Sequence, residues 1–312
     1  FRSWGGNLNG WAESTFGGEN TSLGGNVNGS FQLLNFWGGN GGIGREFSVT
    51  STRALRGGPS IEVPGSWNLW GGISSDRRRK IYGSVGASGW LEDETDGYSW
   101  NVNSSLTWRA SGRSELSLRP SYSRNVSAWQ YVSVQSAPDG RPHYLFSELD
   151  QTTTSLTTRL SYTFTPNLSL QFYAQPFLSA GDADGFREVV LTGDGRRVAD
   201  ASRFRGRFRS LGGLALRDGV YSADTDGDTE DNLRFEDPDF NIKELRTNTV
   251  LRWEYRPGST LFVVWSQGRQ NYIRDGSFRL QRDARRLFGF DDDFAVPSTN
   301  VLLVKVNYWM NL

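Results

Sequence analysis

An acidic segment, Asp224–Asp231, is the first candidate for binding chemistry. Asp224, Asp226 and Asp228 place carboxylates at alternate positions around Gly227. Calcium takes six to eight hard oxygen ligands on flexible loops, and this spacing resembles the start of a twelve-residue calcium loop. Phe235 stands where such a loop carries a bidentate glutamate. A calcium site in the 224–231 loop is one interpretation, and a solvated acidic loop is the other. The sequence predicts no other cofactor.

A second set of polar residues lies inside segments that alternate with apolar residues. It comprises Arg109, Glu115, Arg119, Arg159, Gln171, Arg252, Glu254 and Lys305. An Arg or Lys facing lipid near the bilayer midplane costs about 2–4 kcal/mol, so in a membrane-spanning sheet these residues belong on the inside. We predict that they line a lumen. Their charges either solvate and stiffen the wall or select solutes, and both interpretations stay open.

Three further motifs predict no chemistry. The sequence of Gly39–Gly44 matches the glycine spacing of a dinucleotide-binding fingerprint. The residues after it predict a strand, however, where that motif needs a helix. The basic run Arg77–Lys80 is typical of a solvated turn. His143 is the only histidine, and nothing in the sequence fixes a nucleophile beside it. We therefore predict that the protein is not an enzyme.

A two-residue alternation positions these groups. Trp100, Val102, Leu106 and Trp108 alternate with polar neighbours, and the same pattern recurs along most of the chain. Successive side chains of a strand point to opposite faces, so each segment has one apolar face and one polar face. The apolar faces are rich in aromatic residues, and the runs reach the ~9–11 residues that cross a bilayer when tilted. This pattern predicts an all-β protein, a transmembrane antiparallel up-and-down β-barrel.

The composition excludes several functional classes. Of the 312 residues, 13% are aromatic, the formal net charge is +0, and there is no cysteine. A neutral chain without a clustered basic face argues against a nucleic-acid partner. The absence of cysteine excludes disulfides and thiol catalysis, and a single histidine excludes a histidine-rich metal site.

Turn signals divide the chain into about 12 strands, an even number as bacterial barrels require. The predicted spans are 3–15, 22–37, 43–56, 64–73, 80–91, 98–109, 114–136, 143–164, 167–191, 242–256, 259–281 and 299–312. The pattern over 278–290 fits either a continued strand or a short amphipathic helix. We expect one barrel domain over 1–312.

Short and long connections alternate along the chain. Gly38–Gly42, Ser74–Arg79, Ala110–Arg113, Thr165–Asn167 and Arg256–Ser259 are predicted short turns, which bacterial barrels place at the periplasmic side. The longest connection, about 192–240, is then a large extracellular loop. The closing residues Val304, Val306, Tyr308, Met310 and Leu312 alternate as in the terminal strand that the barrel-assembly machinery reads, and we expect Leu312 to be the C-terminus.

Several blocks resemble one bacterial family. They are residues 54–59, 168–177, 237–241, 251–262 and 303–309, and the block around Trp253 is the most specific. The family is a C-terminal outer-membrane barrel domain of unassigned function, which commonly follows a carbohydrate-binding module of the family-9-like type. The resemblance covers the chain from about Leu55 onward. It implies that upstream strands are missing, which would give a barrel of about 14–16 strands.

These observations predict a protein of the bacterial outer membrane. We expect a porin-like channel, or the membrane-anchoring and translocating barrel of a surface protein. The alternative is a plugged, non-transporting barrel whose extracellular loops bind a glycan or a protein partner; a secreted β-sandwich lectin is a third interpretation. The expected partners are outer-membrane lipid and lipopolysaccharide, the barrel-assembly machinery during insertion, and a protein partner or upstream domain.

Overall fold

A computed structural model describes residues 1–136, 140–193, 195–201, 203–224, 231, 233–291 and 296–310. The long strands are β1 (Ser3–Ser14), β2 (Asn20–Gln32), β3 (Gly38–Glu46), β6 (Ser66–Ser74), β7 (Ile81–Glu92), β8 (Tyr98–Ser111), β9 (Ser114–Ser136), β10 (Pro142–Thr165), β11 (Leu168–Val189), β16 (Phe240–Arg256), β17 (Ser259–Ile273) and β18 (Ser298–Asn307). The short strands are β4 (Val49–Ser51), β5 (Ile61–Val63), β12 (Phe208–Ser210), β13 (Ala215–Arg217), β14 (Val220–Ala223) and β15 (Leu233–Glu236). A 3₁₀ turn covers Phe204–Arg207, and one α-helix, α1, covers Leu280–Phe288.

The twelve long strands form one antiparallel sheet, each paired with the next long strand along the chain. This confirms the predicted all-β, up-and-down architecture and most of the predicted spans. β1 and β18 are the two edges, and no pairing joins them within the described residues. Closure of the sheet into a barrel therefore stays a prediction.

The third predicted strand, 43–56, is wrong. The strand is β3, so Gly38–Gly42, predicted as a turn, lies inside the sheet. The turn is formed instead by residues 33–37, whose apolar letters resemble a continuing strand. The Asn35 side chain accepts a hydrogen bond from the Trp37 amide at 3.1 Å, and Phe36 adopts a φ of 66°. An Asn that bonds its own backbone two residues on favours a turn over an extended chain.

Two long connections also contain structure of their own. The predicted strand 259–281 ends at Ile273, and α1 follows it, so the helical alternative for 278–290 is confirmed. Gly289 ends this helix with a φ of 77° and donates to the carbonyls of Arg285 and Arg286. The long loop at 192–240 contains the 3₁₀ turn, β12 and the three-stranded sheet β13–β15. Within the described residues, no helix has the length and apolarity needed to cross a bilayer.

Cross-strand register divides the main sheet into two faces. Partners in an antiparallel pair share a face, so the pairs Leu69↔Gly89 and Gly89↔Trp100 extend one face across three strands. We call the face that carries Val102, Leu106 and Leu160 the apolar face, and the opposite face the polar face. Side-chain bonds such as that between Ser84 and Ser105, at 2.8 Å, cross neighbouring strands on the polar face.

The buried core lies at the end of the sheet where the long connections are. Leu145, Leu149 and Phe186 pack against Leu233 and Phe235 of the small sheet β13–β15. A second cluster contains Tyr144, Phe146 and Val189, together with Leu55 and Ile61 of the 47–65 connection and Phe204. Most of the large apolar side chains elsewhere in the sheet are exposed. This distribution is the reverse of a soluble sandwich, whose core lies between its sheets.

Helix α1 covers the long-loop end of the apolar face on β11 and β16. Leu287 packs on Leu178 and Leu245. Beneath the helix, the fully buried Lys243 ammonium lies 3.6 Å from the Asp283 carboxylate and donates to the Asn241 side chain at 2.6 Å. Removal of one member of a buried ion pair leaves an uncompensated charge.

We predict that Asp283→Asn loosens α1, because it leaves the Lys243 charge buried without its carboxylate. The expected cost is about 3–5 kcal/mol, measured as faster hydrogen exchange of the α1 amides in the folded protein. The double variant Lys243→Met/Asp283→Leu removes both charges and is expected to recover part of the protection, because the bonds that Asp283 accepts from the Arg279 backbone and from Arg282 are also lost. Unchanged exchange in Asp283→Asn would contradict a stabilising role for this contact.

Candidate functional site

Two adjoining cavities open on the polar face of β6–β9. The smaller, of about 280 Å³, lies next to the short turns that join β6 to β7 and β8 to β9. Its lining comprises Arg77, Tyr82, Gly83, Ser84, Ser105, Thr107, Arg109 and Arg119. The larger, of about 420 Å³, shares Arg77 and Ser84 with it and continues along Asn40, Trp70 and Asn103. Together they form a polar cleft with a strongly basic end.

Arg109 is the most fixed side chain of the smaller cavity. Its Nε donates to Glu115 at 3.0 Å, one terminal nitrogen donates to the Tyr82 hydroxyl at 3.0 Å, and the other donates to the Arg77 carbonyl at 3.2 Å. The guanidinium also lies 4.8 Å from the centre of the Tyr82 ring. Arg109 therefore ties the 75–80 turn to the strands.

The turn itself is held by Asp76. This carboxylate accepts hydrogen bonds from the Arg78 backbone at 3.0 Å and from the Arg78 guanidinium at 2.9 and 2.8 Å. The side-chain bonds to Arg78 lower the pKa of Asp76 to about 2, against the opposing effect of its burial. The Arg78 guanidinium also lies over the Phe36 ring of the neighbouring turn. These contacts fix the turn that carries Arg77.

All eight residues predicted to line a lumen lie on the polar face by register. The pairs that connect them are Ser117↔Thr107, Arg119↔Thr157, Ser161↔Glu115, Gln171↔Ser161, Ser169↔Arg252 and Phe262↔Lys305. Arg109, Glu115 and Arg119 come together at the smaller cavity. That this face lines a lumen stays a prediction.

The other predicted residues are spread along the same face. Arg159 lies over the Tyr173 ring, 5.5 Å from its centre. Arg252 and Glu254 form an ion pair at 3.0 Å, and Lys305 lies on the edge strand β18. Among the described residues, basic side chains outnumber carboxylates in the half of the polar face nearest the short turns.

The candidate calcium loop lies largely outside the described residues, as do Asp226 and Asp228. Asp224 directly follows β14. In the part of the chain that the structure describes, no group of His, Asp and Glu side chains is arranged to hold a metal ion. Calcium binding by the 224–231 loop stays a prediction.

His143 contacts Glu188 at the long-loop end of the sheet. Its Nδ1 lies 2.7 Å from a buried Glu188 oxygen, and Arg209 contacts the other oxygen of that carboxylate. Glu148 pairs with Arg187 instead of with His143. The Glu188 carboxylate of β11 therefore contacts side chains of both β10 and β12.

The sequence pattern does not indicate that Arg77 and the hydroxyl groups belong to one site. Arg77 was predicted to be part of a solvated turn, but it lines both cavities. The alternation of Leu106 and Trp108 with polar neighbours places Thr107 on a polar face. The missing information was the register Tyr82↔Thr107 and Thr107↔Ser117, which brings β7, β8 and β9 together at this level.

The opposite face of the same strands bears an apolar groove of about 730 Å³. Gly71, Ala87 and Gly89 form its floor, and Trp67, Trp100 and other large apolar side chains form its walls. Two surfaces of opposite chemistry thus lie back to back across a single layer of strands.

The fold defines a class: a large all-β, up-and-down antiparallel sheet with one polar and one apolar face. The chain belongs to DUF5916, a domain family of unknown function whose model matches residues 18–312. This agrees with the unassigned function that the resemblance implied; an adjoining carbohydrate-binding module stays an expectation. No curated protein matches the sequence.

Solved structures of outer-membrane proteins show a weak likeness to the chain. The copper transporter OprC is 10% identical, with 98% of this chain and 42% of that chain covered and a TM-score of 0.44. The siderophore receptor PiuA from Acinetobacter baumannii is 10% identical, with 97% and 46% covered and a TM-score of 0.43. The NanC porin is 9% identical, with 98% of each chain covered and a TM-score of 0.26. The chain spans less than half the length of the first two proteins.

We predict that Asp76 titrates with a midpoint of about 2, as followed by carboxyl carbon NMR. Because its folded pKa lies below the ordinary value of 3.8, the contact stabilises the turn above that value. The stabilisation is lost as the pH falls through about 2.

Arg78→Gln is expected to raise the midpoint of the Asp76 titration toward 3.8. The control Arg79→Gln, whose guanidinium lies 4.0 Å away, is expected to move it less. An unchanged midpoint in Arg78→Gln would contradict the assignment.

Proposed function

We propose that this chain is the wall of a bacterial outer-membrane β-barrel, and that its polar face lines a porin-like path for small anionic solutes. The observation that carries the proposal is the distribution of charge on the apolar face. Along each strand from the short turns, the first charged residues on this face lie toward the long-loop end. They are Arg45, Arg124, Asp150, Asp182, Lys243 and Arg269. Between them and the short turns, the apolar face of the described strands carries no charged side chain.

The dimensions of this uncharged band support a membrane location. On β8 it runs from Tyr98 to Trp108, which is roughly 33 Å along the strand and roughly 25 Å along the membrane normal at the usual tilt. That is the height of the apolar belt of an outer-membrane barrel. Trp108, Tyr162 and Trp253 lie near its short-turn edge, where aromatic girdles are expected. Outer-membrane lipid and lipopolysaccharide are the partners that this belt would contact.

The chemistry of the polar face supports a preference for anions. Arg77, Arg109, Arg119, Arg159, Arg252 and Lys305 lie there near the short turns, against Glu115 and Glu254. A ring of basic side chains lowers the barrier for anions and raises it for cations. The same wall also suits a membrane anchor for a surface protein, with insertion by the barrel-assembly machinery.

A second candidate function is a plugged barrel whose extracellular loops bind a glycan or protein. The observation that favours it is the packing of β13–β15 at the polar-face side of the long-loop end, through Leu233 and Phe235. Such a cap would narrow the path between the sheet and the exterior. Neither candidate requires catalysis.

Single-channel recording separates the two candidates. We predict that the refolded chain gives stable current steps in a planar bilayer, with a reversal potential that indicates anion preference. Silence from protein that is folded in detergent would overturn the channel and favour the plugged barrel.

The basic residues have a matched test. Arg119→Gln/Arg159→Gln/Arg252→Gln is expected to reduce or reverse the anion preference, because it removes charge from the proposed lining. The control Arg53→Gln/Arg217→Gln/Arg234→Gln removes the same charge from exposed positions in the long-loop region. Equal effects of the two triple variants would contradict a path along the polar face.

A further inference from the structure

We propose that the smaller cavity on the polar face is an oxyanion-binding site, formed by Arg77, Arg109 and Arg119. Its ligand would be the carboxylate or phosphate group of a solute. The proposal deepens the proposed function, on which it rests for the route by which the solute arrives.

The cavity is rich in hydrogen-bond donors and poor in acceptors that carry charge. Three guanidinium groups line it, together with the hydroxyls of Tyr82, Ser84, Ser105 and Thr107. The neighbouring carboxylate, Glu115, is bound to Arg109 at 3.0 Å. Arg77 and Arg119 make no ion pair with any described residue. The site therefore retains positive charge that its own wall does not neutralise.

Arg109 and the turn that carries Arg77 are held in place before any ligand arrives. Arg109 contacts three acceptors on three different segments, Glu115, Tyr82 and the Arg77 carbonyl. The Asp76–Arg78 contacts fix the turn that carries Arg77. A preorganised site loses less conformational entropy on binding than one formed from mobile side chains.

The chemistry favours an oxyanion over a halide. A guanidinium presents two parallel N–H donors that match the two oxygens of a carboxylate or phosphate, and such bidentate pairs are stronger than single contacts. Chloride accepts no such paired bond. The hydroxyl of Thr107, on β8, would complete the coordination of the remaining oxygens.

The adjoining cavity provides space for the rest of the solute. It continues from Arg77 and Ser84 to Asn40, Asn103 and Trp70. Amides and hydroxyls bind a polar body, and the indole offers a flat apolar face. The structure thus favours a small organic anion with a polar body rather than an apolar acid.

The test uses the absence of cysteine from the chain. Ser105→Cys places one thiol in the cavity, and its rate of alkylation by neutral iodoacetamide is measured on the detergent-folded protein. Inorganic phosphate, acetate and chloride are compared at equal ionic strength. Bound oxyanion is expected to slow the reaction roughly fourfold at about three times its Kd, and chloride is expected not to slow it.

Two controls make the result specific. Added to Ser105→Cys, Arg119→Gln is expected to abolish the protection, whereas Arg159→Gln, outside the cavity, is expected to retain it. The thiol of Ser169→Cys, on the polar face of β11, is expected to react equally in all three salts. Protection by phosphate alone or by acetate alone supports the site and narrows the ligand to that group.

The proposal is overturned if neither phosphate nor acetate slows the reaction relative to chloride. It is also overturned if Arg119→Gln leaves protection intact, or if Ser169→Cys is protected equally. The readout requires no current through the protein. Conduction without protection would overturn the site alone, and protection without conduction would overturn the channel alone.

Discussion

Hydrocarbon offers no hydrogen-bond partner to a backbone N–H or C=O, and this constraint governs the proposed wall. A strand in lipid must satisfy its backbone through its neighbours. The twelve long strands, which pair in chain order along most of their lengths, meet this requirement. The same constraint bears on β1 and β18, whose outer edges are unpaired within the described residues. In a membrane both edges require a partner, which closure on each other or further strands would supply.

Once the backbone is satisfied, the side chains divide the remaining roles between the two faces. In the proposed membrane location, the apolar face, which bears Leu69, Leu106 and Leu160, would need no partner beyond lipid. The polar face bears the arginines, hydroxyls and amides that water can solvate. Conventional burial is therefore left to the long-loop end, where Leu145 and Phe146 pack on opposite sides of β10. On the apolar face, charged side chains occur only toward that end. Lys243, which is buried there, pairs with the Asp283 carboxylate.

Local pattern predicted the sheet well because period-two alternation is a local property. β8 and β9 were predicted within two residues of their observed ends. The turn at 33–37 was missed because its apolar letters resemble a strand, whereas a single Asn35 side chain decides the conformation. Contacts between residues far apart in the sequence cannot be predicted from local pattern. Examples are the ion pair of Lys243 with Asp283 and the ring contact of Phe204 with Trp129. The cavity around Arg77 likewise depends on register, which alternation alone does not fix.

The division of the sheet into a lipid face and a water face is tested most directly by two adjacent serines on β8. Ser104 lies on the apolar face opposite Val85, and Ser105 lies on the polar face opposite Ser84; both are half-buried. Ser104→Cys and Ser105→Cys would be reconstituted separately into lipid vesicles and treated with a charged maleimide. We expect rapid labelling of the Ser105→Cys thiol and protection of the Ser104→Cys thiol by lipid. Equal labelling of both would contradict a membrane-spanning wall.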